Sequence, residues 1–341
     1  MASTKAVKQR IRSVKNTAQI TKAMEVVSAT KMRRSQGFAL AARPYAVASL
    51  EMMENLLERT PEELIPPLLT ERKVQNSLLL VITSDKGLAG AFNANVLKKA
   101  ESWIGEKHSA DKRLTLVTVG KKARDYLERR SRPVLKSYWG FGDYSTLEET
   151  QPIATLVLDG FLSGRWDEAE AVYMNFRSTL RQEVTLEKVL PATREGLEAA
   201  VAAILPERGR YAAQASLARH AERSYEKTSS MTGDDGPRDS SVLRTQNDKQ
   251  RIRYNFEYKF EPSPAEILTA LVPQLIRVHL HHIILESNAS EHSARMVAMK
   301  NASDNARELI GELTLLYNKA RQAGITQELT EITAGAEALN G

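Results

Sequence analysis

LIRVHLHHIILESNASEHSARMVAMKNASDNARELIGELTLLYNKA, residues 275–320, decides how this chain is built. Leu275, Val278, His282, Leu285, Ala289, His292, Met296, Met299, Ser303, Ala306, Ile310, Leu313, Tyr317 and Ala320 follow one another in steps of three and four. Such a repeat averages 3.5 residues and predicts helices wound in a left-handed supercoil. Its middle is small at Ala289, Ser303 and Ala306, so the partner helix comes close there. Further on the stripe slips by one, to Ile325, Leu329, Ile332, Ala336 and Leu339. No proline follows Pro273. Residues 264–338 taken as one helix would reach roughly 110 Å at about 1.5 Å per residue. No single globular domain needs a helix of that length, and the geometry argues for a rod.

The other end of the chain supplies a partner. Residues 1–57 hold one glycine, Gly37, and one proline, Pro44, either of which marks a bend or weak point. Val7, Ile11, Val14 and Ala18 form an apolar stripe, and Ile20, Met24 and Val27 continue it after a shift of phase. The expected organisation is a coiled-coil helix over 1–57, an α/β domain over 75–260, and a second coiled-coil helix over 264–341. The fold class is α/β: a long antiparallel coiled coil of the two terminal helices with a Rossmann-like domain inserted between them.

Within that insertion 77–82, 114–119, 133–138, 170–176 and 182–190 read as strands, with helical segments at 91–105, 121–131 and 146–163. Alternation of this kind favours a mainly parallel sheet. Residues 192–250 interrupt the pattern. They contain two helical stretches and the polar, turn-rich run TSSMTGDDGPRDSS at 228–241. This stretch is either a tolerated surface insertion or a regulatory or docking element.

Composition removes whole classes of chemistry. The 341 residues include no cysteine, which excludes disulfides, thiolate nucleophiles and zinc–thiolate sites. No run of 18 apolar residues offers a membrane span, and the first thirty residues, dense in Lys and Arg with no continuous apolar stretch, do not read as a secretory signal. The net charge of +6 is unevenly placed: the first 34 residues carry nine Lys and Arg against one acid, Glu25. That face suits either nucleic-acid phosphates or an acidic protein surface. The absence of interleaved aromatics favours the protein.

TSDKGLAGAFN, at 83–93, joins a strand to a helix through Gly87 and Gly90. It lacks the G-x-x-x-x-G-K-[ST] spacing of a P-loop and one glycine of the dinucleotide fingerprint. It therefore reads as a tight turn, with Ser84 or Asp85 as a local cap and the glycines relieving backbone strain. His279, His281, His282 and His292 cluster in sequence. A metal reading would pair His279 and His282 with Glu286, but His282 and His292 fall on the heptad seam and are expected to pack. No triad or nucleophile-elbow pattern occurs, and no cofactor is implied.

Three stretches carry a family resemblance. IRSVKNTAQITKAMEVVSATKMRRSQ (11–36), SDKGLAGAFN (84–93) and SEHSARMVAMKNASDNARELIGELTLLYNKARQAGITQELTEITAGAEAL (290–339) resemble the γ subunits of F-type ATP synthases. The resemblance covers both ends and most of the middle, and leaves out about 195–250. It implies a non-catalytic rotor shaft that couples ion-driven rotation of a c-ring to conformational change in a head of α and β subunits, with the ε subunit beside its foot. It further implies head contacts for Met24, Arg33, Arg34, Arg321, Gln322 and Thr326. An apolar tip would run from Ile325 through Leu329 and Ile332 to Leu339, and Tyr258 and Glu261 would rest on the c-ring. One copy would sit on the cytoplasmic face of a bacterial inner membrane, peripheral to it. Some photosynthetic members of the family carry an extra segment where 192–250 lies here, switched by a cysteine pair; without cysteine this chain cannot use that switch. Ala89 replaces a cysteine common among relatives. A basic nucleic-acid binder and a stand-alone nucleotide-binding enzyme are the alternatives from other classes.

Overall fold

The computed structural model describes residues 4–41, 52–53, 55–109, 112–141, 145–193 and 260–340. Two helices form its long axis: α1, Thr4–Ala41, and α5, Pro264–Asn340. α5 has 77 residues, a length of about 115 Å. α1 runs unbroken through Gly37, and Pro44 lies outside the described residues.

Where the two helices meet, the Ser303 hydroxyl points to the Ala18 carbonyl oxygen at 3.5 Å. Val7 and Ser35, near the two ends of α1, are both buried. On α5 nearly everything from Leu280 to Ser293 is buried, whereas most residues beyond Leu313 are exposed. Only an antiparallel pairing, with Ser35 toward the base of α5 and Val7 toward Leu313, satisfies all three facts.

The α1 seam differs from the sequence expectation. Ile20 is 61% exposed and Val27 52%, so the stripe does not change phase. It continues instead through Thr21, Ser28 and Ser35, seven residues apart and in step with Val7 and Val14. The reason is space. Ala289, Ser303 and Ala306 lie on the seam of α5 and are buried, and helices drawn together by small residues leave no room for a Val or Ile. Thr21 satisfies its hydroxyl locally, donating to Thr17 O and Ala18 O at 3.1 Å, whereas the Ser35 hydroxyl is buried with no hydrogen-bond partner among the described residues.

Between the rods lies a five-stranded sheet of order β3-β2-β1-β4-β5. β1 (Asn76–Ile82), β2 (Arg113–Val119), β3 (Val134–Tyr138) and β4 (Glu168–Phe176) are parallel, and β5 (Gln182–Leu190) returns antiparallel on β4. β1 is central and buried on both faces, which explains its unbroken apolar sequence. α2 (Phe92–Ser109) and α3 (Lys121–Arg129) cover one face, where Leu79 and Val81 meet Val96, Trp103 and Leu127.

The other face is covered by α4 (Leu147–Leu162) and by the base of α5. Leu268, Val272, Ile276, Leu280, Ile283 and Ile284 join Leu78, Leu80, Ile82, Val157 and Phe161 in one core. The first twenty residues of the shaft helix are thus also core of the α/β unit. By length and composition α5 would pass as a membrane span, but its apolar side chains at this end are packed against protein.

Candidate functional site

The glycine turn at 83–93 is a junction. Ser84 N–H donates to Asn93 Oδ1 at 3.0 Å, and Ser84 Oγ donates to Lys86 O at 2.6 Å. Asp85 does not cap the helix that follows it. Its Oδ1 accepts from Lys121 N–H at 2.9 Å, at the start of α3, and its Oδ2 accepts from Gly140 N–H at 2.8 Å. Thr83 Oγ1 accepts from Ala123 N–H at 2.9 Å. The left-handed positions are Gly90, with φ 56°, and Leu88, with φ 64°; Gly87 is not among them. On its remaining side the turn meets α5. Arg295 donates to Gly87 O at 3.3 Å and to Lys86 O at 3.4 Å, and a β-carbon on Gly90 would lie 3.9 Å from Ala298 Cβ. The polar groups of this loop are directed at the protein itself, as a structural turn requires.

The histidines are partnered one by one. His279 Nε2 lies 3.1 Å from Glu187 Oε1, His282 Nε2 lies 3.2 Å from Glu286 Oε1, and His281 Nδ1 lies 3.0 Å from Thr150 Oγ1. Glu187 also accepts from the buried Tyr173 hydroxyl at 2.7 Å. Burial raises the Glu187 pKa, but the hydrogen bonds from His279 and Tyr173 outweigh it and hold the carboxyl below its ordinary range. Burial likewise lowers His281 and, with the Glu187 charge, raises Tyr173. Among the described residues no three His, Asp or Glu side chains come together as a metal-ligand set.

The surfaces singled out in the sequence lie along the rod. Lys5, Lys8, Arg10, Arg12 and Lys15 are exposed around the buried seam of α1. Met24 is half-buried, and Arg33 and Arg34 face outward at the surface. Arg321, Gln322 and Thr326 are exposed on α5, where Thr326 Oγ1 returns its hydrogen bond to Gln322 O at 3.0 Å. Ile325, Leu329 and Ile332 are exposed too, the last at 67%. Glu261 is exposed near the base of α5, and Tyr258 lies outside the described residues, as does the 194–250 part of the insertion. Arg321, Gln322, Thr326 and the apolar positions beyond them therefore sit far along α5 from Glu261, whereas Arg33 and Arg34 neighbour Ser35, toward the base of α5.

A family model described as ATP synthase matches residues 3–339. The ATP synthase gamma chain of Roseiflexus castenholzii is 39% identical over 340 residues, 99% of each chain. The chain belongs to the ATP synthase gamma chain family. The gamma chain of Geobacter sp. strain M21 is likewise 39% identical over the full length of both chains, as is that of a Synechococcus strain over 344 residues. Among solved structures, the rotor of the Euglena gracilis mitochondrial ATP synthase superposes with a TM-score of 0.55 at 17% identity, covering 95% of this chain and 99% of that one. The central stalk and c-ring structure from Tetrahymena thermophila gives 0.51 at 21% identity, covering 83% and 99%. At such identities these two report the fold alone. Membership of the family makes the chain a non-catalytic, central-stalk subunit of ATP synthase.

Sequence reasoning misses two residues of this junction. It points Asp85 to the helix that follows, and it does not single out Arg295 at all. Each acts on an element distant in sequence, Arg295 across more than 200 residues, so no local pattern announces the contact.

Proposed function

We propose that this chain is the rotor shaft of a bacterial ATP synthase, with its upper end inside the α/β head and its foot on the c-ring beside ε, at the cytoplasmic face of the membrane. The observation that carries the reading is the bare upper end of α5. Past Leu313 the helix has outrun most of α1, and it presents Ile325, Leu329 and Ile332 to solvent. Apolar side chains at this spacing, on a helix with no partner there among the described residues, suit a surrounding apolar sleeve. Below them Arg321, Gln322 and Thr326 offer hydrogen-bond donors to a catalytic-subunit loop. Met24, Arg33 and Arg34 face acidic surface of the same subunits. Tyr258 and Glu261 meet the polar loops of the c-ring.

Catalysis then works by linkage. A catalytic subunit with open and closed states shifts toward whichever state a contact favours. One asymmetric shaft cannot touch three equivalent subunits alike, so it holds them in different states and exchanges those states as it turns. From its place in the sequence and its length, the 192–250 insertion is proposed to gate ATP hydrolysis mechanically. Deleting 206–245 is expected to alter the ratio of hydrolysis to synthesis; unchanged rates would remove that role.

The shaft reading is tested by measuring ATP hydrolysis of matched α and β subunits with and without this chain. The expected result is no hydrolysis by the chain alone, one copy per head after assembly, and faster multisite turnover. Hydrolysis by the chain alone, or failure to join the head, would overturn it.

A further inference from the structure

Torque that enters at the foot has to cross from the α/β unit to the shaft. At the base of α5 the two are one core, held by apolar packing and by the contacts of His279 with Glu187 and of His281 with Thr150. Apolar contacts resist separation but are not directional. Higher up, about 45 Å along α5 from Pro264 at about 1.5 Å per residue, and just above the Ser293 hydroxyl that donates to Thr179 O at 2.8 Å, a buried charge joins the attachment. Arg295 is a buried charge on α5. Its Nη2 donates to Gly87 O at 3.3 Å, to Lys86 O at 3.4 Å and to Glu291 Oε1 at 2.5 Å. Its Nε also reaches Gly87 O, at 3.4 Å, and Nη1 lies 3.4 Å from His292 Nδ1.

Both carbonyls belong to a turn that is itself immobilised. Asp85 fastens it to the start of α3 and to Gly140, and Ser84 and Asn93 fasten it to α2. Sheet, two helices and shaft therefore meet at one guanidinium, whose planar fork can span adjacent carbonyls as a lysine ammonium cannot. Glu291 orients that fork from the helix turn below.

We infer that Arg295 is the positioning residue that keys the α/β unit to the shaft, so that rotation of the foot is delivered to α5 without slip. It touches no nucleotide and acts only through the Lys86–Gly87 turn. The inference rests on the rotor-shaft reading. It makes a demand of its own: losing Arg295 spares ATP hydrolysis, which needs only the upper shaft in the head, and costs proton pumping per ATP, which needs the joint to the foot.

The experiment uses the whole enzyme in inverted membrane vesicles, with assembly checked by subunit stoichiometry. Arg295→Ala is expected to keep hydrolysis within about twofold while pumping per ATP falls about fivefold or more, at the lower edge of ordinary coupling between sites. Arg295→Lys, which keeps the charge beside Glu291, falls between, and serves alone if the alanine chain fails to assemble.

A covalent key supplies the control. A β-carbon on Gly90 would lie 3.9 Å from Ala298 Cβ, within the roughly 3.5–4.5 Å that a disulfide spans. The chain has no other cysteine. Gly90→Cys with Ala298→Cys, added to the Arg295 variant, should regain pumping on oxidation and lose it on reduction.

Unchanged pumping per ATP in the Arg295 variants overturns the inference. So does a cysteine pair that forms without restoring pumping, or one that fails to form in the otherwise unaltered chain. Failure of the shaft reading looks different: hydrolysis by the α and β subunits would then be indifferent to the presence of the chain.

Discussion

The six-membered ring of Trp166 occupies the space beside Gly160: a β-carbon built on Gly160 would fall 1.8 Å from Trp166 Cζ2. The indole N–H donates to Val157 O at 3.0 Å, one turn earlier on α4, so the ring cannot slide away without breaking that bond. Trp166 thus packs the end of α4 into the same core as Val157 and Phe161. Gly160→Ala is expected to destabilise the chain by about 1–3 kcal/mol, the usual cost of overpacking a core, and to alter the tryptophan fluorescence. Urea denaturation followed by that fluorescence checks it, and an unchanged midpoint would contradict the packing described.

The serine seam of the coiled coil makes a paired prediction. Ser28→Leu places a large side chain at a buried position of the seam and should cost about 1–3 kcal/mol. Val27→Ser, one position along, changes an exposed residue and should stay within about 0.5 kcal/mol. Thermal unfolding of the two variants separates the observed seam from the apolar one the sequence suggests; the reverse order would restore the latter.

Lys107 ties α2 to β4 through an ion pair with Glu168 and a second contact with Glu170 at 3.0 Å, while Ser77 donates to Glu168 at 2.6 Å. Burial raises the Glu168 pKa, but the hydrogen bonds from Lys107 and Ser77 prevail and leave it lowered. A lowered carboxyl stabilises the fold above its unfolded pKa of about 4.3, and that stability is lost as pH falls through the folded value. For Lys107 burial lowers the pKa, yet the two glutamates leave it raised, so its contribution is lost only as pH climbs past about 10.4. Lys107→Met should destabilise by about 3 kcal/mol at neutral pH, by leaving a carboxylate buried and unpaired. It should also flatten the acid limb of the stability profile, which titration of the unfolding midpoint between pH 3 and about 7 reads directly.

The apolar tip is predicted to matter only in company. Leu329→Ser with Ile332→Ser replaces two side chains that are 59% and 67% exposed. The isolated chain should melt within about 0.5 kcal/mol of the parent. The assembled enzyme should release the shaft from the head faster, as seen by subunit loss on dilution. Equal retention would remove the tip from the head contact.

The sheet is legible in residues 77–190 because buried parallel strands announce themselves as apolar runs and the helices between them are periodic. The shaft is legible because a heptad held from Leu275 to Ala320 fits a wound helix and little else. Thr21, Ser28 and Ser35 escape because hydrophobic periodicity is blind to small polar residues that pack by closeness. Leu268 to Ile284 look like any helical stripe, and only the third dimension shows that the stripe is sheet-facing. Arg295 and Asp85 are invisible for the opposite reason: each is defined wholly by its partner, and those partners are fixed by topology.

The end of α1 near the level of Leu313 has a mechanical corollary. Below it the rod is a two-helix beam clamped at its base by the α/β unit; above it, among the described residues, a single helix continues for about 40 Å at about 1.5 Å per residue. Bending stiffness rises steeply with cross-section, so the upper segment is a compliant cantilever on a rigid base. Any offset between the axis of the foot and that of the head is taken up by flexure of this last stretch, and the braced joint beneath stays true.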